Sequence, residues 1–510
     1  MTDSTLVNPA FECLSALSVI LDLANGLAED KSVLAATFAW ELAKDAGLSE
    51  DEQWAALLAA MLRHLGCTAY ASVEAEVAGD DIALRRGLHR RDSSRALDVM
   101  AAVADAGQGV FGKSRGIVQL AAKGPQLEAA LTLEACGAAR LLSEGLKLGP
   151  KVTRALDEVF ERYDSKGAPH GWDGAALSNA GRVATVAHVA TVFALEGGPL
   201  RATEVLQARA GTALDPALVK RAVVLVKQLS APAEYLGQQH DAVGRFAEKQ
   251  SLPTTLDDVA EAFGDFADLQ APHARGHSRE VAAWCRQVAG ALQLPADEVT
   301  TLSRAAHLHD LGQVAVPTSI WTMARTHRPT ERERAKAHAF FTERVLAAAA
   351  PLSAVAKVAG AHHERLDGSG YHRGASGGAI SRPARILAAC DVASALLKDR
   401  PHRSAMTSAG AALELRAMVK SGQLDGEVVE AVLSVMGERS AKPRAASSLS
   451  ERELEVLRLV ARGKTNKEVA VALGLSPRTV QHHTIHIYEK LGVDTRAGAA
   501  MVASQRGLLE

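Results

Sequence analysis

Two histidines, His362 and His363, stand side by side before a glycine-rich segment, in the run HHERLDGSGYHRG. A buried neutral imidazole needs both a donor and an acceptor partner, so adjacent histidines are poor core residues. Nine of the eighteen histidines in the chain lie between His273 and Asp391. This concentration indicates a site that uses imidazole nitrogens for chemistry.

The chain contains two related copies of one unit. The run LSEDEQWAALLAAMLRHLG, which ends at Gly66, aligns without a gap with LPADEVTTLSRAAHLHDLG, which ends at Gly312. Farther on, ERYDSKGAPHGWDG aligns with ERLDGSGYHRGASG, with the glycines in register. Chance similarity between Ala- and Leu-rich helices is the alternative, but two matched blocks in the same order favour an internal repeat. We predict domains over residues 1–230 and 231–438.

The copies differ at the positions that could bind a metal. The second copy has His277, His309, Asp310, His362, His363 and Asp391 where the first has Lys31, Arg63, His64, Val159, Phe160 and His188. His338 aligns near Ala135. The helical frame is kept while coordinating side chains are replaced, which is typical of a metal site and its inactive duplicate.

Imidazoles combined with a few carboxylates suit divalent iron, manganese or zinc. The adjacent pair His309 and Asp310 can give a ligand to each of two ions if the carboxylate bridges them. Two ions about 3.5–4 Å apart would lower the pKa of a shared water from about 15.7 towards about 7 and would clamp the oxygens of an in-line phosphoryl displacement. A satisfied polar network between helices is the alternative.

The elements that must position these residues are helices. Ala, Leu, Glu and Arg dominate, aromatic residues make up 4% of the chain, and apolar residues recur at intervals of three and four. We therefore predict an all-α protein. The segment from Glu438 to Ser448 has charge, Pro and small residues but no apolar stripe, so residues 439–448 are predicted to link a last domain, 449–510, to the rest.

Composition limits the setting of the protein. The five cysteines form no CxxC pair, which suits a reducing compartment, and a net charge of -2 excludes a wholly basic nucleic-acid coat. The start MTDSTLVNPAFECLS has no basic segment leading into an apolar one, and no run reaches the roughly 18 uninterrupted apolar residues that span a bilayer. We expect a cytoplasmic protein without a membrane segment.

The motifs of the second copy resemble those of the HD-GYP branch of the HD phosphohydrolase superfamily. HARGHSREV, HLHDLGQVAVP, KAHAFFTERVL, HHERLDGSGYHRG and ARILAACDV occur in family order at family-like spacing. The resemblance implies hydrolysis of cyclic di-GMP or a related nucleotide with two divalent transition metals, iron or manganese. It implies that the metals are held by His277, His309, Asp310, His338, His362, His363 and Asp391, with Asp310 bridging. It also implies that Gly370, Tyr371 and Arg385 bind substrate and that Asp310 and the residue at position 313 act in catalysis.

Three positions depart from the family pattern. The lysine of the HDxGK motif is Gln313, the proline of the GYP motif is His372, and the arginine expected three residues after His277 is Glu280. Gln313 can donate to a phosphate oxygen but carries no charge, and losing a charge-assisted contact costs about 2–3 kcal/mol, or a factor of tens to hundreds in rate. The site is therefore either a phosphodiesterase or a sensor that binds a ligand without turnover. An HD hydrolase acting on another phosphoester is a third possibility.

His273 lies four residues before His277, where some trinuclear members of the family place a glutamate. If both histidines lie on one helix, they share a face, and a third metal becomes possible.

The last 62 residues carry the signals of three capped helices. Ser450 with Glu453 and Thr465 with Glu468 form capping boxes, Ser476 precedes a first-turn proline, and Gly463, Gly474 and Gly492 stand where helices end. The second helix, a short turn and the third helix predict a helix-turn-helix. The run GKTNKEVAVALGLSPRTV resembles the LuxR-type C-terminal DNA-binding domain.

In that resemblance the helix from Arg478 to Leu491 enters the major groove of promoter DNA. The residues expected to contact bases or phosphates are Lys464, Lys467, Arg478, Thr479, Gln481, His482, His483 and Lys490, while Val480, Ile487 and Leu491 are expected to face the core. One such domain reads few base pairs, so we expect a homodimer on two half-sites. A helical interaction module that does not touch DNA is the alternative.

Overall fold

A computed structural model of the 510-residue chain describes residues 8–92, 95–107, 131–438, 449–462, 464–491, 493 and 499. These residues are largely helical and form no β-strand beyond isolated bridges. The prediction of an all-α fold is confirmed. The chain divides into two compact units, Met1–Val435 and Met436–Glu510, and the predicted linker 439–448 lies outside the described residues.

The first copy is a bundle of helices around α2, α3 and α9. Its described helices are α1 (Pro9–Ala24), α2 (Lys31–Asp45), α3 (Glu50–Met61), α4 (Ala71–Ala78), α5 (Asp81–His89), α6 (Ala96–Ala106), α7 (131–145), α8 (Pro150–Asp157), α9 (Asn179–Arg209) and α10 (Pro216–Leu225). Buried Leu, Ala, Val and Phe side chains of α2, α3 and α9 form its core. Burial of this apolar stripe, more than intrinsic propensity, holds the helices in place.

The second copy repeats this bundle around α13, α14 and α18. It follows α11 (Pro232–Lys249) and contains α12 (Leu256–Asp268), α13 (His277–Ala291), α14 (Ala296–Leu308), α15 (Thr318–Thr322), α16 (Pro329–Ala347), α17 (Ser353–Ala359), α18 (Arg382–Leu396), α19 (Ser408–Lys420) and α20 (Gly426–Val435). Helices α2 and α13 begin at aligned residues, as do α3 and α14. The helical frames therefore correspond as the internal repeat predicts.

Polar contacts that connect the helices of one copy recur in the other. Asp22 accepts hydrogen bonds from the backbone N and the Oγ of Ser32 at 2.8 and 2.7 Å, and Asp268 accepts the same two bonds from Ser278 at 2.9 and 2.8 Å. Asp22 thus joins α1 to the start of α2, and Asp268 joins α12 to the start of α13 in the same way. A repeated pair of buried hydrogen bonds is stronger support for duplication than shared composition, because each buried carboxylate needs its own partners.

The glycine-rich segments are also built alike in the two copies. Glu161 accepts hydrogen bonds from the backbone N of His170 and Trp172 at 2.8 and 3.2 Å. Glu364, at the aligned position, accepts them from Arg373 and Ala375 at 2.8 and 2.9 Å. The carboxylate thus fixes the loop from within in both copies.

Two aligned glycines allow a close approach of helices. A Cβ at Gly66 would lie 2.0 Å from the carbonyl oxygen of Ala135, and a Cβ at Gly312 would lie 2.0 Å from that of His338. Neither position admits a side chain without a backbone shift. The contact also shows that Ala135 is the structural counterpart of His338.

Helix α11 packs on the first copy although it follows the predicted boundary at residue 230. The Phe246 ring lies 5.6 Å from the Trp40 ring and 6.1 Å from the Trp54 ring, and Tyr235 donates to Glu41 at 2.7 Å. The boundary itself stays a prediction.

Among the described helices, α9 has the length and apolar composition of a helix that could cross a membrane. Gly198, with φ 76°, interrupts it before Pro199, and 61% of its most apolar stretch is buried inside the protein. This burial is typical of the core helix of a folded domain.

The C-terminal unit contains α21 (Glu451–Ala461), α22 (Asn466–Leu473) and α23 (Pro477–Leu491). Both predicted capping boxes are present, Gly474 ends α22 with φ 66°, and Thr479 N donates to Ser476 Oγ at 3.1 Å. The core includes Val480, Ile487 and Leu491, as predicted. Gly463 and Gly492 lie outside the described residues.

Candidate metal centre

The candidate ligands come from five places in the second copy. His277 is the first residue of α13, His309 and Asp310 follow the last residue of α14, and His338 lies in α16. His362 and His363 follow α17, and Asp391 lies in α18. Most of these side chains are buried: His277, His309, His338 and His362 are at most 2% exposed.

The segment after α14 is fixed by hydrogen bonds to α16. Thr342 Oγ1 accepts from Gly312 N at 2.8 Å and donates to His309 O at 3.0 Å. Together with the close approach of Gly312 to His338, these bonds bring the His309-Asp310 pair beside α16. The local sequence HDLGQ thus needs its glycine and a distant threonine to place its two ligands.

Two groups of potential ligand atoms form, each with its members within 4.8 Å of one another: His277, His309 and Asp391 in one, His338, His362 and His363 in the other. Asp310 lies between them. Its Oδ1 is 3.5 Å from the Nε2 atoms of both His338 and His362, while its Oδ2 is 3.4 Å from His309 Nε2 and 3.8 Å from His277 Nε2. One carboxylate thus faces both groups.

The hydrogen bonds of the imidazoles fix their orientation. The Nδ1 atoms of His309, His338 and His362 lie 2.9, 2.6 and 2.7 Å from the carbonyl oxygens of Ala306, Ala335 and Ala359. A carbonyl oxygen can only accept, so each Nδ1 must carry the proton and each Nε2 must present its lone pair to the centre when the ring is neutral. This is the tautomer that a histidine needs to bind a metal through Nε2.

The Nε2 atoms of His309, His338 and His362 lack suitable hydrogen-bond partners among the described residues. His338 Nε2 and His362 Nε2 are 3.1 Å apart, which sets two acceptors against each other, and buried His309 Nε2 has no hydrogen-bond partner among the described residues. Lone pairs that converge in this way require a proton or a cation between them. The donor set, imidazole nitrogens with two carboxylates, fits divalent transition metals.

The carboxylates and imidazoles shift each other's protonation. Burial acts to raise the pKa of Asp310 and Asp391, but the surrounding imidazoles outweigh it and hold the pKa of both carboxyls well below the usual range. Burial acts to lower the pKa of His309, yet Asp310 and Asp391 raise that pKa to about 9. Burial lowers the pKa of His338 to about 4, with His362 adding to the shift. The two carboxylates therefore stay ionised and attract cations.

A second layer of polar residues orients His277, and sequence reasoning missed it. His277 Nδ1 lies 3.1 Å from Ser394 Oγ, Ser394 Oγ donates to Glu280 Oε2 at 3.2 Å, and Lys398 Nζ pairs with the same oxygen at 2.5 Å. His277 Nε2 lies 3.1 Å from Asp391 Oδ1. The spacing of Asp391 and Ser394, three residues apart on one helix, was the available signal.

The residues assigned to substrate or catalysis lie in different surroundings. The Tyr371 ring is 4.7 Å from the His363 ring, and Gly370 lies against the backbone of residues 363–365. Gln313 is half-buried, and its side-chain amide makes no hydrogen bond within the described residues. Lys336 Nζ lies 5.8 Å from the Tyr371 ring centre, so a cation that we did not predict stands near this ring.

Arg385 is engaged within the protein. Its guanidinium donates to Ile380 O, Gly377 O and Asp425 Oδ2 at 2.9, 3.1 and 3.0 Å. In the first copy, Arg182 pairs with Asp215 at 2.6 Å in the corresponding place. The shared contact indicates that Arg385 joins α18 to α20, and its role in substrate binding stays a prediction.

The condition for a third metal, that His273 and His277 lie on one helix, is not met. His273 lies in a short 3-10 turn, Pro272–Ala274, whereas α13 begins only at His277. Gly276, with φ 72°, lies between them in the left-handed conformation and immediately precedes α13.

The C-terminal unit presents most of the predicted DNA-contacting residues to solvent. Exposed are Lys464, Lys467, Arg478, Thr479, Gln481 and His482, whereas His483 and Lys490 are half-buried. Lys490 Nζ pairs with Glu453 Oε2 at 2.6 Å. That pair joins α23 to the start of α21, so Lys490 has a structural contact that the sequence did not suggest.

Comparison with known proteins agrees with both parts of the chain. Residues 261–428 match the family model described as HD domain, and residues 447–503 match that of bacterial regulatory proteins of the luxR family. The chain thus combines an HD domain with a luxR-type regulator domain.

Similar proteins include 3'3'-cGAMP-specific phosphodiesterase 3 of Vibrio cholerae, 28% identical over 411 residues, 78% of this chain and 88% of that protein. A cyclic di-GMP phosphodiesterase response regulator, RpfG of Xanthomonas campestris, is 38% identical over 149 residues, 29% of this chain and 39% of that protein. The crystal structure of a cyclic GMP-AMP specific phosphodiesterase from V. cholerae aligns with a TM-score of 0.53 at 22% identity, over 84% of this chain and 97% of that one. That structure supports the fold, and the 411-residue alignment extends well beyond the HD domain into the first copy.

Proposed function

We propose that the protein is a DNA-binding regulator whose HD domain hydrolyses a cyclic dinucleotide at a centre of two divalent transition metals, iron or manganese. The observation that carries this proposal is the position of Asp310, whose two oxygens face separate groups of imidazole nitrogens. A carboxylate in that position is suited to bridging two cations.

His277, His309 and Asp391 would hold one ion, and His338, His362 and His363 would hold the other, with Asp310 shared. The metals would polarise a phosphoryl oxygen and lower the pKa of a bound water towards about 7. The protein supplies orientation: backbone carbonyls fix three of the rings, and Ser394 fixes His277.

The remaining groups near the centre suit a nucleotide phosphate. The Tyr371 ring offers an apolar face beside His363, and the Lys336 ammonium near that ring can attract a phosphate. The Gln313 amide can donate one hydrogen bond to a phosphate oxygen but supplies no charge. Lys336 Nζ pairs with the exposed Glu333 Oε1 at 2.8 Å, and it would supply part of the charge of the family lysine by exchanging this partner for the phosphate.

Cyclic dinucleotides are the proposed substrate class because the relatives named above act on 3'3'-cGAMP or cyclic di-GMP. The test is incubation of the metal-replete full chain with each of these two compounds, followed by chromatography of the products. Linear dinucleotide or mononucleotide should form from at least one of them. Recovery of both compounds unchanged, with metal bound, would contradict the hydrolytic proposal.

The alternative is a sensor that binds the same ligands without turnover, and Gln313 favours it. Gln313→Lys should raise an existing rate of hydrolysis by a factor of about tens to hundreds, because a charge-assisted contact is worth about 2–3 kcal/mol. In a sensor, the same substitution should create activity. The exposed Gln287→Lys on α13 is the matched control. Turnover by the wild type decides between the two functions.

For the C-terminal unit we propose promoter binding as a homodimer through α23, with the exposed Arg478, Thr479 and Gln481 reaching DNA. A footprint should vanish when the chain ends at Ser448, and Gln481→Ala should weaken it. A footprint that persists in the shortened chain would place DNA binding elsewhere.

A further inference from the structure

The first copy buries a cluster of basic side chains where the second copy has its metal centre. Four of them stand at the positions of His277, His309, Asp310 and Asp391, and one comes from α5. The members of this basic cluster are Lys31, Arg63, His64, His188 and His89.

The three histidines of the basic cluster pack edge to face. The ring centres of His64, His89 and His188 are 5.0, 5.3 and 5.1 Å apart in the three pairs, and Lys31 Nζ lies 3.5 Å from His64 Nε2. Lys31 is fully buried and His64 and His188 are 7% exposed, whereas Arg63 and His89 are half-buried. The cluster therefore reaches the surface beside Arg63 and His89.

Neither cation of the basic cluster forms an ion pair with a described carboxylate, although buried Asp22 acts on Lys31 from a greater distance. No described carboxylate lies within ion-pair distance of Lys31 or Arg63. The Arg63 guanidinium donates instead to Thr185 Oγ1, at 3.2 Å, and to Val159 O. The nearby Asp22 carboxylate accepts hydrogen bonds from the backbone N and the Oγ of Ser32.

Buried His188 Nδ1 also has no hydrogen-bond partner among the described residues. A buried charge that lacks a partner is strongly unfavourable, so a site with two cations and an open imidazole nitrogen calls for an anion. Burial lowers the pKa of Lys31 to about 8, and the Asp22 carboxylate opposes the shift.

The residues differ between the copies, but the basic cluster and the metal-loaded centre would carry charge of the same sign. In the second copy two carboxylates with two divalent ions would leave a net charge of two positive units. In the first copy Lys31 and Arg63 supply positive charge with no metal, and the three histidines of the basic cluster add none, because burial lowers the pKa of each. Burial raises the pKa of the nearby Asp22, which favours its neutral form. An anion attracted to the loaded metal centre meets a comparable charge here.

We propose that the first copy is a binding site for a phosphate group of a nucleotide, held by Lys31, Arg63 and the imidazoles of the basic cluster. The site binds without hydrolysis, because the bridging carboxylate position is His64 and the positions of His338 and His362 are Ala135 and Val159. The degenerate copy is thus a receptor for the same class of ligand that the second copy would cleave.

Helix α5 connects this anion site to the second copy. His89 is its last residue, and Asp81, its first, accepts from Thr318 N and Oγ1 at 2.7 and 2.8 Å. Thr318 begins α15, and Trp321 of that helix donates to Gln313 O at 3.1 Å. Nucleotide bound at the anion site therefore touches a helix whose first residue contacts α15, the helix that donates to the backbone of Gln313.

The test uses the full chain treated with a chelator, so that no metal can bind the ligand in the second copy. At pH 7, inorganic phosphate and cyclic di-GMP should each raise the unfolding temperature with concentration, whereas chloride at equal ionic strength should not. Lys31→Met should abolish the shift, and Lys227→Met, an exposed lysine of the same copy, should keep it.

Lys31→Met should itself unfold at a higher temperature than wild type without ligand, since it removes an unpaired buried charge, so a lost shift cannot be ascribed to misfolding. Calorimetric titration with cyclic di-GMP should show at least a tenfold weaker affinity for Arg63→Met. An equal shift in Lys31→Met, or no shift in the wild type, would overturn the proposal. Neither result bears on hydrolysis, because the metal centre is empty in every sample.

Discussion

The two copies share a helical frame and differ in the charges that they bury. In the second copy two carboxylates face imidazole nitrogens whose Nδ1 protons are committed to backbone carbonyls. In the first copy a lysine and an arginine take two of the imidazole positions, and histidines take those of the carboxylates. A few substitutions thus turn a centre suited to cations into one suited to an anion, while the packing between helices is kept.

The largest expected effect is a loss of metal and of hydrolysis that follows a substitution in the second copy but not the substitution at the aligned position of the first copy. Asp310→Ala should remove bound metal and lower hydrolysis by at least about a thousandfold, about 4 kcal/mol, because the shared ligand is lost. His64→Ala, at the aligned position of the first copy, should leave metal content unchanged. Metal analysis with product assay checks both, and equal metal loss in the two variants would refute the assignment of the centre to the second copy.

The aligned glycines should respond alike in stability and differently in metal content. Gly312→Ala and Gly66→Ala each force a Cβ against a carbonyl oxygen at 2.0 Å, so each should lower the free energy of unfolding by about 1–3 kcal/mol or more. Denaturant titration measures this loss. Only Gly312→Ala should also weaken metal binding, because Gly312 sets His338 beside Asp310; a neutral Gly66→Ala would show that the copies are less alike than their contacts indicate.

Ser394 and Thr191 form a smaller matched pair. Ser394→Ala removes the partner of His277 Nδ1 and should weaken metal affinity by about 10–100-fold. Thr191, which aligns with Ser394, donates to its own helix at Ala187 O and His188 O, so Thr191→Val should have no effect on metal. Competition with a chelating dye gives both affinities, and similar values for the two variants would count against a role for Ser394.

The effect expected to be smallest for each unit step is the dependence of metal affinity on pH. The pKa of His309 is raised to about 9 in the metal-free protein, so an ion must displace this proton at lower pH. Affinity should rise about tenfold per pH unit up to about pH 9 and then level off. The protonated form contributes stability to the metal-free protein that is fully present below about pH 6.5 and is lost as pH rises through about 9. A flat affinity between pH 6.5 and 9 would exclude this proton as the competitor.

Much of the fold could be predicted because its signals are local. The helix starts at Ser450, Thr465 and Ser476 and the end at Gly474 depend on neighbouring residues alone, and all four are confirmed. The aligned runs ending at Gly66 and Gly312 indicated the repeat, and the HD and luxR matches confirm the two kinds of domain. His273 and His277 do not share a helical face, because α13 begins at His277, four residues after His273.

The sequence by itself determined the helical class, the duplication and the types of donor atom, because residue type and spacing carry that information along the chain. Only the tertiary structure decided that Asp310 lies between two groups of imidazoles, that Ser394 and Lys398 support His277, and that His89 joins a basic cluster from a helix absent from the alignment. Those contacts join residues far apart in the chain. Their distances follow from how helices pack, and no local pattern encodes that packing.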